Sequence, residues 1–241
     1  MEKRNQRKFA KEIEDLHRLH YIAKTYDHLI GEYKKETYKD NIWKRDSWTL
    51  FEPTKFVYAY FAFNSFYNFD WGKSLENKKL TLSNKNKERN KYQDMIDYIF
   101  SRVNEEDKDS FLEMIKGDYD INDIYNTINK IKPDNRINDK IIDDFKESIK
   151  NLLGTNKVKI GQLKNKLKND IIHFIYMVRN NIFHGTKNTI DMYEESQRKR
   201  LNIYSNIIIA INELLFKVLA KELIKANVRF YFMENYELVT H

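Results

Sequence analysis

The stretch Ile171-Ile172-His173-Phe174-Ile175-Tyr176-Met177-Val178-Arg179-Asn180-Asn181-Ile182-Phe183-His184-Gly185 decides how this chain reads. On a helical wheel of roughly 100° per residue, Ile171, Ile175, Val178 and Ile182 fall within one narrow arc and are assigned to a core. His173, Asn180 and His184 share a different stripe, with Met177 beside it. Arg179 lies between the two. Gly185 supplies a helix stop, so the predicted helix Gly161–Phe183 carries Arg179 in its last turns, with His184 directly after it. Arg is a permanent cation whose fork matches phosphate, and His exchanges protons near neutral pH.

Working outward, the same periodicity predicts three more long helices. In the first, roughly Asn5–Thr37, Phe9, Ile13, Leu16, His20, Ala23, Tyr26 and Ile30 recur at steps of four and three and share a face; Gly31 weakens its last turns. The second follows Pro53, a favourable first-turn residue, and runs to about Phe69. It is aromatic all round (Phe56, Tyr58, Tyr60, Phe61, Phe63, Phe66, Tyr67, Phe69), the pattern of a helix buried on most sides. The last runs from Asp191 to about Ala226, with Leu201, Ile208, Ile211, Leu215, Val218 and Leu219 as its apolar stripe. Between the second and third lie shorter candidates at Lys87–Val103, Asp109–Lys116, Ile121–Lys130 and Asp139–Leu153, separated by polar turns and Pro133. The expectation is one all-α domain over residues 1–241: a four-helix bundle with its core in 5–70 and 160–226, a helical insertion at 73–159, and a tail at 227–241 whose Val228–Met233 alternates like a strand.

Composition agrees. Only two Pro and six Gly interrupt 241 residues, as an all-α chain requires. With no Cys, disulfides and thiolate zinc sites are excluded. No run approaches the ~18 apolar residues of a membrane span, and Met1–Lys8 has no apolar segment behind it, so a soluble cytoplasmic protein without a membrane partner is expected. The net charge of +7 is uneven. Lys150–Lys187 holds eight Lys or Arg against one acid, whereas Glu105–Glu147 holds thirteen acids against seven bases. A basic stretch around a candidate phosphate site, with Lys164, Lys168 and Lys187 as candidate contacts, is what nucleic-acid binding needs. A solvated Lys-rich helix face gives the same counts.

The Arg179-Asn180-x-x-x-His184 arrangement at a helix end, before a second long helix, resembles the HEPN superfamily of helical ribonucleases. The helix with Phe61-Ala62-Phe63-Asn64-Ser65-Phe66-Tyr67-Asn68 is similar to the second helix of one HEPN branch. The resemblance covers about residues 5–70 and 160–226; the segment 73–159 departs from compact members. It implies a metal-independent endoribonuclease without a cofactor. Arg179 and His184 would be catalytic, with Asn180 and His173 supporting them. Products would carry 2′,3′-cyclic phosphate and 5′-OH ends. It also implies a toxin, abortive-infection or antiviral role, with an antitoxin or activating partner. An unbroken helix leaves Arg179 and His184 about 140° apart and roughly 7.5 Å along the axis, which becomes workable if the helix unwinds near Phe183–Gly185 or if two protomers pool their motifs; the resemblance implies the second, a homodimer with a composite cleft. The alternative is a non-catalytic HEPN-like module that binds nucleotide, RNA or a partner.

Each residue also has a duller reading. His184 fits a helix cap, Arg179 a surface cation, and Asn180 and Asn181 ordinary polarity at a helix end. The pairs Glu14-x-x-His17 and Asp170-x-x-His173 have the spacing of di-iron bundles. The second helix, however, has no mid-helix carboxylate to complete such a set, and Asp shortens the reach, so no metal is assigned.

Overall fold

The computed structural model describes residues 3–37, 51–68, 88–117, 119–134, 137–154, 158–183, 195–225, 229–234 and 237–240. Its elements are α1 (Lys3–Thr37), α2 (Phe51–Asn68), α3 (Glu88–Phe100), α4 (Glu105–Lys116), α5 (Ile121–Asn129), α6 (Asp139–Leu153), α7 (Ile160–Lys166), a π turn (Leu167–Ile171), α8 (Ile172–Phe183), α9 (Glu195–Lys225), β1 (Tyr231–Glu234) and β2 (Glu237–Thr240). The chain is predominantly helical. Among the described residues no helix is long and apolar enough to cross a membrane.

The long helix α9 organises the rest. All six residues of its predicted stripe are buried, and so are Ile203, Ile207 and Leu214 on other sides, because it packs against α2, α4 and α1. In α1, the predicted face buries Ile13, Leu16, His20 and Ala23, and the helix continues through Gly31. Phe9 and Ile30 have side chains outside the described set. In α2, Phe56, Tyr60, Phe63, Phe66 and Tyr67 are buried, as an all-round aromatic pattern demands. Phe61 is the departure, at 42% exposed.

The shorter helices start where side chains cap them. Asn104 and Asp107 form a reciprocal capping box on α4, Asp120 accepts from the Asn122 amide on α5, and Asn138 from the Ile141 amide on α6. Gly117 ends α4 at φ +54°, and a Cβ there would meet the Asn206 Nδ2 at 2.6 Å. These helices do not stand apart from the longer ones. Tyr92, Phe111, Ile124 and Phe145 join the same apolar cluster as α1, α2 and α9. Phe145 of α6 stacks on Phe174 of α8 at 4.1 Å, with Tyr204 of α9 edge-on to both.

The third predicted helix is one run with a flaw in it. At the π turn the Ile172 amide reaches back to the Leu167 carbonyl, one residue further than in an α-helix. The extra residue brings both Ile171 and Ile172 into the core behind Leu163 and Leu167. Val228–Met233 was expected to alternate; Tyr231–Glu234 pairs antiparallel with Glu237–Thr240 as a hairpin, and Phe230 and Phe232 pack into the core.

Candidate phosphate site at the end of α8

Past the π turn, α8 follows its wheel only in part. Ile175 is buried and Val178 and Ile182 pack half-buried on the core, but Met177 packs there too from beside the polar stripe, and Phe174 and Asn181 are buried outside the predicted arc; His173 and Asn180 are half-buried. Arg179 is also half-buried and is held by its surroundings. Its guanidinium carbon lies 5.6 Å from the centre of the Tyr60 ring and 5.0 Å from that of Phe183. One terminal nitrogen donates to Asn180 Oδ1 at 2.8 Å. Its Nε is shielded from solvent with no hydrogen-bond acceptor. Among the described residues Arg179 makes no ion pair, whereas Arg198 meets Glu52 at 3.5 Å and Arg102 meets Glu222 at 3.8 Å. An oriented guanidinium without a carboxylate retains its donors for an anion.

Behind Arg179 stands a tyrosine cluster that the sequence reading took for plain core. Tyr67 contacts the Glu88 carboxylate and Asn64. Burial pushes the Tyr60 and Tyr67 hydroxyls well above the usual tyrosine range, and burial, against the charge of Arg89 and with Tyr176 and Glu88 adding, pushes Tyr92 up to about 12. All three remain neutral at physiological pH. The signal available in the sequence was Tyr rather than Phe at 60 and 67, seven apart on one face, with Asn64 between them.

The supporting residues separate. Asn180 is in hydrogen-bond contact with Arg179. His173 has a buried Nδ1 without a hydrogen-bond partner, and its pKa is lowered, by burial first and then by the charge of Arg89, against the pull of Asp170. It is an uncharged imidazole at neutral pH. Six residues before Arg179, it sits about 120° away and roughly 9 Å along the helix, so it flanks the Arg179 surface rather than joining it. His184 and Lys187 lie outside the described residues.

Lys164 and Lys168 are not open cations. Both reach Asp97 of α3, Lys164 at 3.4 Å and Lys168 in close contact, so one acid offsets part of the basic stretch. Asn181, read as polarity at a helix end, is 3% exposed, and its Nδ2 donates to Asp134 Oδ2 at 2.7 Å. Asp134 in turn accepts the Ile137 amide at 2.9 Å. The connection between α5 and α6 is thereby tied to the last turn of α8. The residues of the di-iron spacing are differently employed: Glu14 accepts the Tyr231 amide, Asp170 accepts from Ser148 Oγ at 2.6 Å, and His17 stacks on Phe232.

A cavity of about 690 Å³ lies elsewhere, between α1, α4, α9 and β1. His20 and Lys24 both engage Glu213 there, at 2.9 and 2.5 Å. Burial works against the charge of that carboxylate, but His20 and Lys24 outweigh it and hold the pKa down to about 2. Lys217 and Asp107 pair likewise. Among the described residues the lysines of this cavity are paired with its acids, whereas Arg179 at the end of α8 is not.

Compared with protein-family models, with curated proteins and with solved structures, the chain matches none.

Proposed function

We propose that this chain is a metal-independent endoribonuclease of the HEPN type. The observation that carries the reading is Arg179: an oriented, partly shielded guanidinium with no acid partner among the described residues, five positions before His184. In this reading α1, α2, α7–α8 and α9 are the four bundle helices, and α3–α6 are the elaboration between the second and third. Arg179 binds the scissile phosphate and stabilises charge growing on its non-bridging oxygens. His184 removes the proton from the ribose 2′-OH as its oxygen attacks phosphorus. The P–O5′ bond breaks, and a second His184, from the other protomer of a homodimer, supplies the proton to the departing 5′-oxygen. The products are a 2′,3′-cyclic phosphate and a 5′-OH. Asn180 holds the guanidinium, His173 extends the cleft, and Lys187, with the shared charge of Lys164 and Lys168, attracts the flanking backbone. Such an activity suits a cytoplasmic toxin or antiviral effector held in check by an antitoxin or activator.

The test is incubation of purified protein with mixed-sequence labelled RNA in EDTA, beside Arg179→Ala and His184→Ala. Cleavage by the unmodified chain alone, leaving cyclic-phosphate ends and sparing DNA, is expected. Cleavage that needs a divalent ion, or that survives His184→Ala, rejects the mechanism. RNA binding by every variant without any cleavage selects the non-catalytic module instead.

A further inference from the structure

Two of the exposed large apolar side chains touch each other. Phe61, in the middle of the aromatic helix α2, is 42% exposed, and Phe183, the last residue of α8, is 40% exposed. Their rings stack with centroids 5.7 Å apart and planes 26° from parallel. Single exposed apolar residues are ordinary. This pair is different because the Arg179 guanidinium lies 5.0 Å from the Phe183 ring, so two aromatic faces and a cation without an acid partner among the described residues form one surface.

We infer that Phe61 and Phe183 are a stacking platform for a nucleobase of single-stranded RNA, beside the phosphate held by Arg179. The substrate rests on the ribonuclease reading; the platform rests on the geometry. A base offers a flat π-face to Phe and a phosphate next to it, which is the pairing this surface presents. In duplex RNA the base faces are occupied by their neighbours and the major groove is too narrow for side chains, so the platform selects unpaired strands. The homodimer of the ribonuclease reading brings two copies of Arg179 to one cleft, and with no carboxylate paired to either among the described residues a bound phosphate offsets their like charges; the platform flanks that phosphate.

The test uses the full chain with His184→Ala throughout, in EDTA, so that no probe is consumed. Binding is measured to a labelled single-stranded RNA, to the same RNA as a duplex, and to a ribose-phosphate oligomer of equal length without bases. Phe61→Leu and Phe183→Leu keep apolar volume and remove the π-face, and circular dichroism checks that they fold. Single-stranded RNA is expected to bind on the order of 10-fold tighter than the abasic oligomer. Each Leu variant should lose most of that advantage while keeping the slope of affinity against salt, whereas Arg179→Ala should flatten the slope by about 1. Equal binding of RNA and abasic oligomer, no binding of either, or Leu variants that bind like the parent overturns the platform. Leu variants that turn a dimer into a monomer by sedimentation also overturn it and assign the surface to self-association. Base-dependent binding here, together with no cleavage by the unmodified chain, leaves the platform standing and rejects only the ribonuclease.

Discussion

Asn181 and Asp134 stand 47 residues apart in sequence and meet at 2.7 Å, and their coupling tests whether the α5–α6 connection fixes the end of the site helix. Asn181→Ala removes a hydrogen bond to a carboxylate and empties part of a position only 3% exposed. A charge-assisted bond contributes about 1.5–3 kcal/mol when shielded. Asp134 itself is exposed, so the lower end applies, and the void adds roughly another 1 kcal/mol. The total, about 2–3 kcal/mol, lowers the melting temperature by roughly 4–10 °C for a domain of this size. Asp134→Ala loses the same bond and the turn contact to the Ile137 amide, with a cost of about 1–3 kcal/mol. In a double-mutant cycle by urea denaturation the pair should couple by about 1–2 kcal/mol. Because Asn181 and Arg179 share the last turns of α8, RNA cleavage should fall with Asn181→Ala at temperatures where the variant is fully folded. Strictly additive effects would refute the tether, and full activity with a strong coupling would show that the tether serves stability alone.

Arg179→Ala should behave in the opposite way to its neighbour. It loses two cation–π contacts, about 1 kcal/mol each or less, so melting should move by only a few degrees, while RNA cleavage falls by at least 100-fold; a large loss of stability would make Arg179 structural. Glu213 has its pKa held at about 2 against an ordinary 4.5, with burial opposing and His20 and Lys24 prevailing. A depressed carboxylate stabilises the fold above its ordinary pKa, and that stabilisation drains away as pH falls from about 5 to about 2. It is worth on the order of 3 kcal/mol at neutral pH. Glu213→Gln should therefore lower stability at pH 7 and flatten its slope in that acid window; an unchanged slope assigns the acid sensitivity to other groups. Asp97→Asn releases Lys164 and Lys168 and removes one negative charge, so RNA affinity should rise severalfold at low salt and the salt slope steepen; no change would place those lysines away from the RNA path. Gly117→Ala, at φ +54° with Asn206 close by, should cost about 1–3 kcal/mol by thermal melting.

How much of this was legible beforehand follows from the range of each interaction. Helix positions were readable because amphipathic periodicity and capping are local. The stripe from Leu201 to Leu219 is buried as its spacing demands, and the arc of Ile171 and Ile175 faces the core. Segmentation between α3 and α6 was readable from the polar turns and Pro133, except that α4 begins at Glu105, where Asn104 caps it, four residues before the expected Asp109. The sequence by itself also placed Arg179 and Asn180 in the last turns of a helix, and chemistry alone made them, with His184 after them, candidates for phosphate and proton transfer.

Tertiary structure decided what no window of residues contains. Asp97 comes from a helix some seventy positions before Lys168, and its contact turns two apparent phosphate ligands into partly neutralised cations. The same holds for Asn181 with Asp134 and for His20 with Glu213, 193 positions apart. Phe61 reads as one more ring of an aromatic helix, and only the packing of α2 against α8 leaves it at the surface beside Phe183 and Arg179. The π turn at Leu167–Ile171 is likewise set by fitting both Ile171 and Ile172 into a core assembled from distant helices. Periodicity fixes which way a side chain points from its own helix, but whether that direction meets solvent, an acid or another ring depends on helices brought alongside by the rest of the chain.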